Sequence, residues 1–467
     1  MSLIAAFIYN NDNGRYVVVK DIADAIEYVK TNTGSYTISL INDVKENITI
    51  PADVTVTLDL NGKTLTGANS CASGWGNLEN QNKYTAIVNK GTLIIEDSSK
   101  GKTGHVTAGG ELASALYTDA GATTTLAGGT FTTALATTEA QKTTQQGNWY
   151  VIRNHGTMTM NNGVKVTCGG NYMLSGNGFI TNGYEQFENE GKEAHLANDA
   201  VMTINGGTYE GGIFVVKNGD WDGVMTINDG TFSIAGSTAG SASNWGAVVS
   251  NSNNCTMTIN GGTFTGATGG LDPIIKAKTK SAVNEGSGLT IKGGTFSGDN
   301  DVLQTLNKAN SASPAAIINI SAGHFKGKIN NNTEATGEGA SRSYEVGASE
   351  LSISGGYFSS DPGAYIPQNA GVVCSSFIES DDNSGHTIYK VGAPVAFIGS
   401  TGYSTVQSAI ESVTGNSTTI NVIGIPNGDE NMNGAATLES ILPALVSRRV
   451  WLMPLLSVVG RHEHRYG

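Results

Sequence analysis

A ten-residue motif recurs along this chain and restricts the possible folds more than any other feature. It reads MTINGGTYEG from residue 202, MTINDGTFSI from 225, MTINGGTFTG from 257, LTIKGGTFSG from 289 and LSISGGYFSS from 351. An apolar anchor residue precedes each turn, and successive anchors lie from 23 residues apart (204 to 227) to 44 residues apart (160 to 204). Fixed spacing inside a motif and variable spacing between motifs indicate a repeating unit that carries loops of different length.

The motif itself predicts two short strands joined by a sharp corner. Period-two alternation puts Met257 and Ile259 on one side of the first strand, and Phe264 returns to that side in the second strand. The intervening Asn-Gly-Gly tolerates positive φ, as such a corner requires. Stacked copies can bury apolar sides that one copy cannot. The anchors are Leu126, Met160, Ile204, Ile227, Ile259, Ile291, Ile320 and Ile353, and the residues five positions later are Phe131, Lys165, Tyr209, Phe232, Phe264, Phe296, Phe325 and Phe358, with Lys165 as the exception to the apolar rule.

A third segment of the repeat lies upstream of several motifs. It appears as AIVNKGTL from residue 86, VIRNHGTM from 151, FVVKNGDW from 214 and AVVSNSNN from 247. An asparagine follows the apolar strand in each, and aligned asparagines can hydrogen-bond to one another along a stack. We therefore predict a structural ladder of Asn89, Asn154, Asn218 and Asn251, with Asp119 in a similar place.

These features, with the segment TISLINDVKENITIPADVTVTLDLNGKTLTG from residue 37, resemble the pectin-lyase-like β-helix modules of bacterial cell-surface and adhesin-like proteins. The resemblance covers residues 15–375. It implies an all-β fold: a right-handed, single-stranded parallel β-helix of about ten coils. A short N-terminal capping helix and a small C-terminal α+β segment complete the predicted fold.

The sequence predicts five segments. Residues 1–50 form an N-terminal cap of strand, short amphipathic helix (residues 19–29) and strand, and residues 51–375 form the parallel β-helix. Residues 376–392 are a linker or closing strand, and residues 393–425 repeat the pattern of the N-terminus, as the start of a second module would. Residues 426–467 lose the Thr-Gly pattern and are expected to be a non-native or disordered tail.

Charge and composition exclude several kinds of partner. The formal net charge is −13, and arginines are scarce before residue 448, so we expect no nucleic acid, which needs clustered Lys and Arg. The four cysteines show no metal-ligand spacing, and we assign no metal and no cofactor; buried thiols and disulfides both stay open. Arg448 and Arg449 interrupt the apolar tail, so no membrane span is predicted. The fold favours an extracellular or cell-surface monomer.

The resemblance implies the chemistry of polysaccharide lyases and glycoside hydrolases, so the sequence should contain their catalytic residues if the protein is an enzyme of this kind. The best carboxylate pair is Asp220 and Asp222, whose spacing puts both side chains on one side of an extended segment; a solvated turn is the alternative. His105 and His155 have Arg153 as a neighbour, although a turn position explains His155 as well. The ordered Asp-doublet, Gly-His-Gly and Arg-x-Lys motifs of polygalacturonase-like enzymes are not present.

Aromatic residues supply the candidate binding surface. Tyr172, Tyr184 and Glu185 lie in the long insertion 171–199, where aromatics can stack on sugars or form the core of the loop itself. Trp149 and Trp245 precede ladder strands, and Trp221 lies between them in sequence. Exposed, these tryptophans would contact a glycan or a protein; packed under loops, they would be structural.

Three functions remain open from the sequence. The first is a non-catalytic bacterial cell-surface module, a rigid rod that displays loops for adhesion or glycan binding, with a polysaccharide or a host or cell-surface glycoprotein as partner. The second is a divergent polysaccharide lyase or glycoside hydrolase. The third is a structural fibre segment. The fold by itself does not choose among them, and the repetition with missing catalytic motifs favours the first.

Overall fold

The structure of the chain is a computed structural model that describes residues 4–68, 84–109, 113–132, 150–167, 178–183, 200–211, 214–219, 223–234, 246–252, 255–267, 274–279, 288–307, 317–330, 350–379, 386–414, 418–423 and 450–454. Strands dominate these residues, helices are few and most strand pairs are parallel. The chain is therefore all-β with long parallel sheets, an architecture compatible with a β-helix. Its contacts divide into two compact units, Met1–Asn319 with Lys326–Leu351, and Ile320–Phe325 with Ser352–Gly467.

The elements up to residue 182 are listed here in chain order. They are β1 (Ala6–Asn10), β2 (Tyr16–Val19), α1 (Ile22–Thr31), β3 (Tyr36–Leu40), β4 (Val44–Lys45), β5 (Ile48–Ile50), β6 (Thr55–Asp59), β7 (Thr64–Thr66), β8 (Ile87–Asn89), β9 (Thr92–Glu96), β10 (His105–Thr107), β11 (Leu116–Thr118), β12 (Thr123–Thr132), β13 (Ile152–Asn154), β14 (Thr157–Thr167) and β15 (Gly178–Asn182).

The later elements continue the series. They are β16 (Ala200–Ile204), β17 (Thr208–Glu210), β18 (Phe214–Asn218), β19 (Gly223–Ile227), β20 (Thr231–Ser233), β21 (Ala247–Ser252), β22 (Thr256–Ile259), β23 (Thr263–Thr265), β24 (Ile275–Thr279), β25 (Gly288–Ile291), β26 (Thr295–Asn307), β27 (Ile317–Ile320), β28 (His324–Asn330), β29 (Glu350–Ile353), β30 (Gly356–Phe358), a 3₁₀ turn (Gly363–Tyr365), β31 (Val373–Ile378), β32 (Thr387–Gly392), β33 (Ala396–Ile398), β34 (Thr401–Tyr403), α2 (Val406–Glu411), β35 (Thr418–Val422) and β36 (Val450–Pro454).

Three stacks of parallel strands run through the first unit, and the chain visits them in a fixed order. Stack A contains β3, β6, β9, the first parts of β12 and β14, β16, β19, β22 and β25. Stack B contains β4, β7, β10, the second parts of β12 and β14, β17, β20, β23 and the first part of β26. Stack C contains β5, β8, β11, β13, β15, β18, β21, β24 and the last part of β26.

The predicted anchors meet in stack A. Successive strands bring six of them into register as Cα partners, and all six are buried: Leu126, Met160, Ile204, Ile227, Ile259 and Ile291. Because side chains alternate across a strand, the threonines between them face outward, and Thr256 and Thr258 of β22 are exposed and half-buried. The motif pattern thus supplies one continuous apolar row.

The aromatic residues form a matching row in stack B. The rings of Tyr209, Phe232, Phe264 and Phe296 follow one another at centroid distances of 4.7 Å, with successive planes inclined by 13°, 5° and 7°. In-register parallel strands impose this spacing, because it is the distance between neighbouring strands. In the second unit, Phe325 and Phe358 stack in the same way at 4.8 Å.

Glycine makes the corner between the two rows possible. Gly262 has φ +106°, a conformation that residues with a side chain rarely adopt. A Cβ there would also lie 3.1 Å from the Gly230 carbonyl oxygen and 3.2 Å from the Phe264 ring. The same corner has φ +109° at Gly207 and +102° at Gly294, so the turn has the same conformation in successive repeats.

Lys165 does not break the aromatic row, contrary to the alignment made from sequence. Val166 is the Cα partner of both Phe131 and Tyr209, and it is fully buried, whereas Lys165 is exposed. The pairing of β12 with β14 shifts register beyond Leu126, because this copy has one more residue in its turn. Such a bulge displaces every later side chain by one position.

The N-terminal elements contain the predicted short helix. Helix α1 spans Ile22–Thr31 and buries the predicted apolar residues Ile22, Ala25, Ile26 and Val29. It contacts β1, β2, β3 and β5. Glu46 accepts hydrogen bonds from the Ile22 and Ala23 amides, which lack partners inside the helix. The capping role itself and the five segment boundaries stay predictions.

The C-terminal elements repeat the topology of the N-terminal ones. β33 pairs antiparallel with β34 and with β35, α2 lies between those two strands, and β35 pairs parallel with β36. In the same way, β1 pairs antiparallel with β2 and β3, α1 lies between them, and β3 pairs parallel with β6. A strand, Val450–Pro454, thus lies within the segment expected to be a tail.

Candidate functional site

The predicted asparagine ladder forms in stack C, at the end of each strand. Asn154 donates to Asn182 at 2.7 Å, Asn182 to Asn218 at 2.9 Å, and Asn218 to Asn251 at 2.9 Å. Each side-chain amide also donates to backbone carbonyls: Asn218, for example, reaches the Gly223 and Thr256 oxygens at 3.0 and 2.9 Å. The ladder therefore satisfies buried backbone groups at the turns, which is a structural role.

Two details of the ladder differ from the sequence-based alignment. Asn182, in the segment ITNG, is a full member that the alignment omitted. Thr118, not Asp119, takes the ladder position between Asn89 and Asn154, because Thr118 is the Cα partner of both. The Asn89 amide reaches the hydroxyl of Thr124 at 2.9 Å, and that hydroxyl lies 2.7 Å from the one of Thr118.

A second asparagine ladder runs along the outside, at the motif turns. Asn205 donates to Asn161 at 3.0 Å, Asn228 to Asn205 at 2.8 Å, and Asn260 to Asn228 at 2.7 Å. All of these bonds are exposed to solvent. The sequence contained the signal, an asparagine directly after four successive anchors from Met160 to Ile259, but only the parallel register shows that these side chains bond to one another.

The outward side of stack C is the most unusual surface among the described residues. Its row, which we call the outer row, passes through the position of Lys276, and its other members have side chains at most 6% exposed: Tyr117, Arg153, Thr181, Lys217, Ser250 and Gln304. Outward threonines of stacks A and B, such as Thr256 and Thr263, are exposed instead. A buried row that includes two cations needs local partners, because an unpaired buried charge is costly.

Arg153 packs between two tyrosine rings. Its guanidinium carbon lies 4.8 Å from the centroid of Tyr150 and 5.5 Å from that of Tyr117, which is cation–π geometry. The Tyr117 hydroxyl donates to the Asp119 carboxylate at 2.9 Å and lies 3.1 Å from Nδ1 of His155. With the hydroxyl donating to Asp119, the contact with His155 is a hydrogen bond in the tautomer that carries its proton on Nδ1.

This network of Tyr117, Asp119, Arg153 and His155 holds groups that acid–base chemistry uses, but three of them are closed to solvent. Tyr117 is 1% exposed, and Arg153 and His155 are each 2% exposed; Asp119 is half-buried. A general base must reach its substrate within hydrogen-bond distance. The geometry therefore suits fixation of the stack C turns better than turnover. His105 lies in stack B, where Nε2 bonds to Thr132 at 2.7 Å and burial lowers its pKa.

The described residues contain neither a metal-binding cluster nor a reactive cysteine. Within them, no group of three or more His, Cys, Asp or Glu side chains is placed to hold a metal ion. Cys255 is a buried thiol outside any disulfide, and Cys374 is a half-buried one whose pKa is raised to about 11 by burial and by Asp361. Such a thiol is almost fully protonated at neutral pH and is a poor nucleophile.

The other candidates from sequence fall on parts of the chain that the structure does not describe. They are the carboxylates Asp220 and Asp222, the aromatic residues Trp149, Trp221, Trp245, Tyr172 and Tyr184, and Glu185. Their roles in catalysis or binding stay predictions. Among described residues, sequence reasoning missed an aromatic group at the second unit: His324 stacks on Tyr357 at 4.7 Å, and the Lys390 ammonium lies 4.0 Å from the Tyr357 ring centroid.

The stacks, the aromatic row and the ladders define a class: a repeat protein built from parallel strands, with side chains stacked from repeat to repeat. Comparisons of the chain with protein-family models, with curated proteins and with solved structures found no match. In the parts of the chain that are described, no helix is long and apolar enough to cross a membrane.

Proposed function

We propose that the stacks wind into a right-handed parallel β-helix of about ten coils, of the pectin-lyase-like kind, with α1 as its cap. Three strands per repeat, visited in a constant order and paired in parallel, support this. The repeat of the N-terminal topology at β33–β35 supports the further proposal that residues 393–425 begin a second module.

On this framework we propose a non-catalytic bacterial cell-surface module that displays loops for adhesion or glycan binding outside the cell. One observation carries the proposal: strands of neighbouring repeats stay in register although the connections between them differ in length. Residues 183–199 separate β15 from β16, and only residues 219–222 separate β18 from β19, yet Asn182 partners Asn218 and Ala200 partners Gly223. A scaffold that tolerates any insertion leaves the insertions free to carry recognition.

The described chemistry points the same way. The buried polar side chains of stack C hold turns together, and the network around Tyr117 leaves little room for a substrate. A polysaccharide or a host or cell-surface glycoprotein is the partner that we propose, since aromatic and carboxylate side chains in the insertions suit sugar rings and hydroxyls. The net charge of −13 makes neutral glycans a better match than polyanionic ones.

The experiment is to incubate the full chain with a panel of plant and host polysaccharides and to separate the mixtures by size. Co-migration without shortening of the polymer is the expected result. Trp149→Ala and Trp245→Ala should weaken co-migration while the melting temperature stays the same, and Thr258→Ala on stack A serves as the control. Co-migration that survives both tryptophan changes would exclude these side chains as the contact surface.

A divergent polysaccharide lyase or glycoside hydrolase is the second candidate, since the Tyr117 network contains side chains of the types that acid–base chemistry uses, although three of them are closed to solvent. Shortening of any polymer in the same panel would establish it. Tyr117→Phe removes only the hydroxyl that joins Asp119 to His155, and Asp220→Asn tests the predicted carboxylate pair. Shortening that persists in one of these variants removes that group from the mechanism.

A further inference from the structure

The chain contains two copies of one small folding unit, alike at the level of single residues. We call β1, β2, α1 and β3 the first copy, and β33, β34, α2 and β35 the second copy. Ala6 partners Val19 and Leu40 in the first, and Ala396 partners Tyr403 and Val422 in the second. The hydrogen bond from the Ala5 amide to the Val19 carbonyl, 2.9 Å, recurs from Val395 to Tyr403 at 2.8 Å.

The buried cores of the two copies have the same composition. The buried cluster of the second copy consists of Ala396, Ala409, Ile410, Val413 and Ile420. The strand registers and the helix starts put Ala6, Ala25, Ile26, Val29 and Ile38 at the same five places, and these are buried too. Identical residue types at five core positions mean that the two copies pack in the same way.

In the second copy, the structure shows what covers one side of this unit. The antiparallel hairpin β31–β32, which we call the closing hairpin, bonds to the second copy at three places. The Ser404 amide donates to Ser375 Oγ at 2.9 Å, and Ser404 Oγ donates to the Lys390 carbonyl at 2.7 Å. The Glu411 carboxylate accepts from the Ile378 amide at 3.0 and 3.3 Å. Ser404 is consequently only 3% exposed.

The corresponding side of the first copy is open to solvent. Glu27 is the sixth residue of α1, as Glu411 is of α2, and it is exposed; Lys20 lies two residues before its helix, as Ser404 does, and is also exposed. The neighbouring strand β2 has its only described pairing with β1, and it exposes Tyr16 by 66% and Val18 by 42%. Apolar side chains on an unpaired edge strand are a liability unless a partner covers them.

We propose that the first copy is a docking surface, and that its occupant is the closing hairpin of a preceding module of the same construction. In this complex Glu27 accepts the amide at the end of a hairpin strand, as Glu411 does. Lys20 takes the place of Ser404 and brings an ammonium close to the place of Ser375, so we expect the arriving hairpin to carry a carboxylate there. That carboxylate can accept from the Lys20 backbone amide, as Ser375 accepts from the Ser404 amide, and can also pair with the Lys20 ammonium. The pairing then keeps the hydrogen bonds made by the helix glutamate and by the backbone amide of residue 20, and it exchanges the Ser404 hydroxyl bond to the Lys390 carbonyl for an ion pair at the interface.

A tandem protein tests the proposal directly. In this protein, residues 1–392 form the leading module and are joined directly to residues 3–467, the trailing module. The closing hairpin of the leading module is then followed by the first copy of the trailing module instead of by a second copy. Hydrogen exchange of the peptide covering residues 16–27, which occurs twice, should then be bimodal, with half of the population at least about five-fold slower. The slow half should grow more protected with Ser375→Asp in the leading module and should vanish with Glu27→Lys. A single fast population with and without Ser375→Asp overturns the proposal.

The ordinary chain supplies an independent test that needs no new junction. Ser404→Lys gives the second copy the lysine that the first copy has at Lys20. This change should weaken the contact between the second copy and the closing hairpin, so hydrogen exchange of the Ile378 amide should become faster. Adding Ser375→Asp should restore the slow exchange, whereas Ser375→Asn, which has no charge, should not. Failure of Ser375→Asp to restore protection would contradict the charge pairing that the proposal requires. Neither test depends on glycan binding.

Discussion

At the scale of single residues, the structure distinguishes side chains that hydrogen-bond to buried backbone groups from side chains that bond to one another at the solvent-exposed surface. Asn218 and Asn228 make the point, because both belong to asparagine ladders of similar hydrogen-bond length. Asn218 is fully buried and donates to two backbone carbonyls, while Asn228 is exposed, so water can replace its partners. Hydrogen bonds of similar length in the two ladders therefore contribute differently to the free energy of unfolding.

Asn218→Ala should lower the free energy of unfolding by about 2–4 kcal/mol, since it leaves buried carbonyls and the Asn251 side chain without a donor. Asn228→Ala is the matched control and should cost less than about 1 kcal/mol. Urea unfolding of both variants measures the difference. Equal losses in the two variants would show that burial of the inner ladder is not what makes it stabilising.

Asp97 gives a prediction about pH. Burial raises the pKa of its carboxyl, but the amides of Gly104, Gly62 and Ser99 donate to it at 2.6, 2.9 and 3.1 Å and hold the pKa below the ordinary value of 3.8. A group whose pKa is lower in the folded state contributes stability above its ordinary pKa, and this is lost as the pH falls through the folded value.

Asp97→Asn should therefore lower the melting temperature at pH 7 and flatten its decline below about pH 4. The asparagine oxygen can still accept from Gly62 and Ser99, but its amide nitrogen in the place of Oδ2 cannot accept from Gly104, so the loss at neutral pH has a direct cause. Melting curves between pH 7 and pH 2 measure both effects, with the exposed Asp53→Asn as control. An acid decline as steep as that of the unsubstituted chain would rule out Asp97 as a contributor.

At the scale of elements, a one-residue bulge in β14 decides which side chain enters the aromatic row. The sequence pattern places the inward side chain five residues after the anchor, which selects Lys165 after Met160. The same rule gives the correct residue in the other copies. The structure selects Val166, because the turn before it is one residue longer. Only pairing with the strands on both sides reveals that extra residue.

Val166→Ala should cost about 2 kcal/mol of unfolding free energy, because it removes two buried methyl groups between Phe131 and Tyr209. Lys165→Ala, one residue away and exposed, should change it by less than about 0.5 kcal/mol. Thermal or urea unfolding of the two variants provides the comparison. A larger loss from Lys165→Ala would mean that the sequence alignment had the right register.

At the scale of the whole chain, the two copies of the N-terminal unit show that one packing solution is used twice. In the second copy Glu411 joins helix α2 to the closing hairpin through the Ile378 amide. Because this bond is exposed, we expect it to contribute modestly, about 1 kcal/mol.

Glu411→Ala should speed exchange of the Ile378 amide about five-fold, the change that corresponds to about 1 kcal/mol. Amides of β18 in the first unit should keep their exchange rates and so serve as the internal control. Unchanged exchange at Ile378 would show that side-chain packing, and not this carboxylate, seats the hairpin.

The sequence by itself determined the repeat: the anchors, the aromatic row, the glycine corners and most of the inner ladder follow from local spacing, because strand alternation and turn chemistry act over a few residues. Tertiary structure alone decided what depends on neighbouring coils. It decided that Val166 is buried in the aromatic row and that Thr118 takes the ladder position. It also decided that the outer asparagines bond to one another and that Arg153 is buried between Tyr117 and Tyr150. Those outcomes depend on register between strands that are far apart in sequence, and spacing within one repeat contains no record of it.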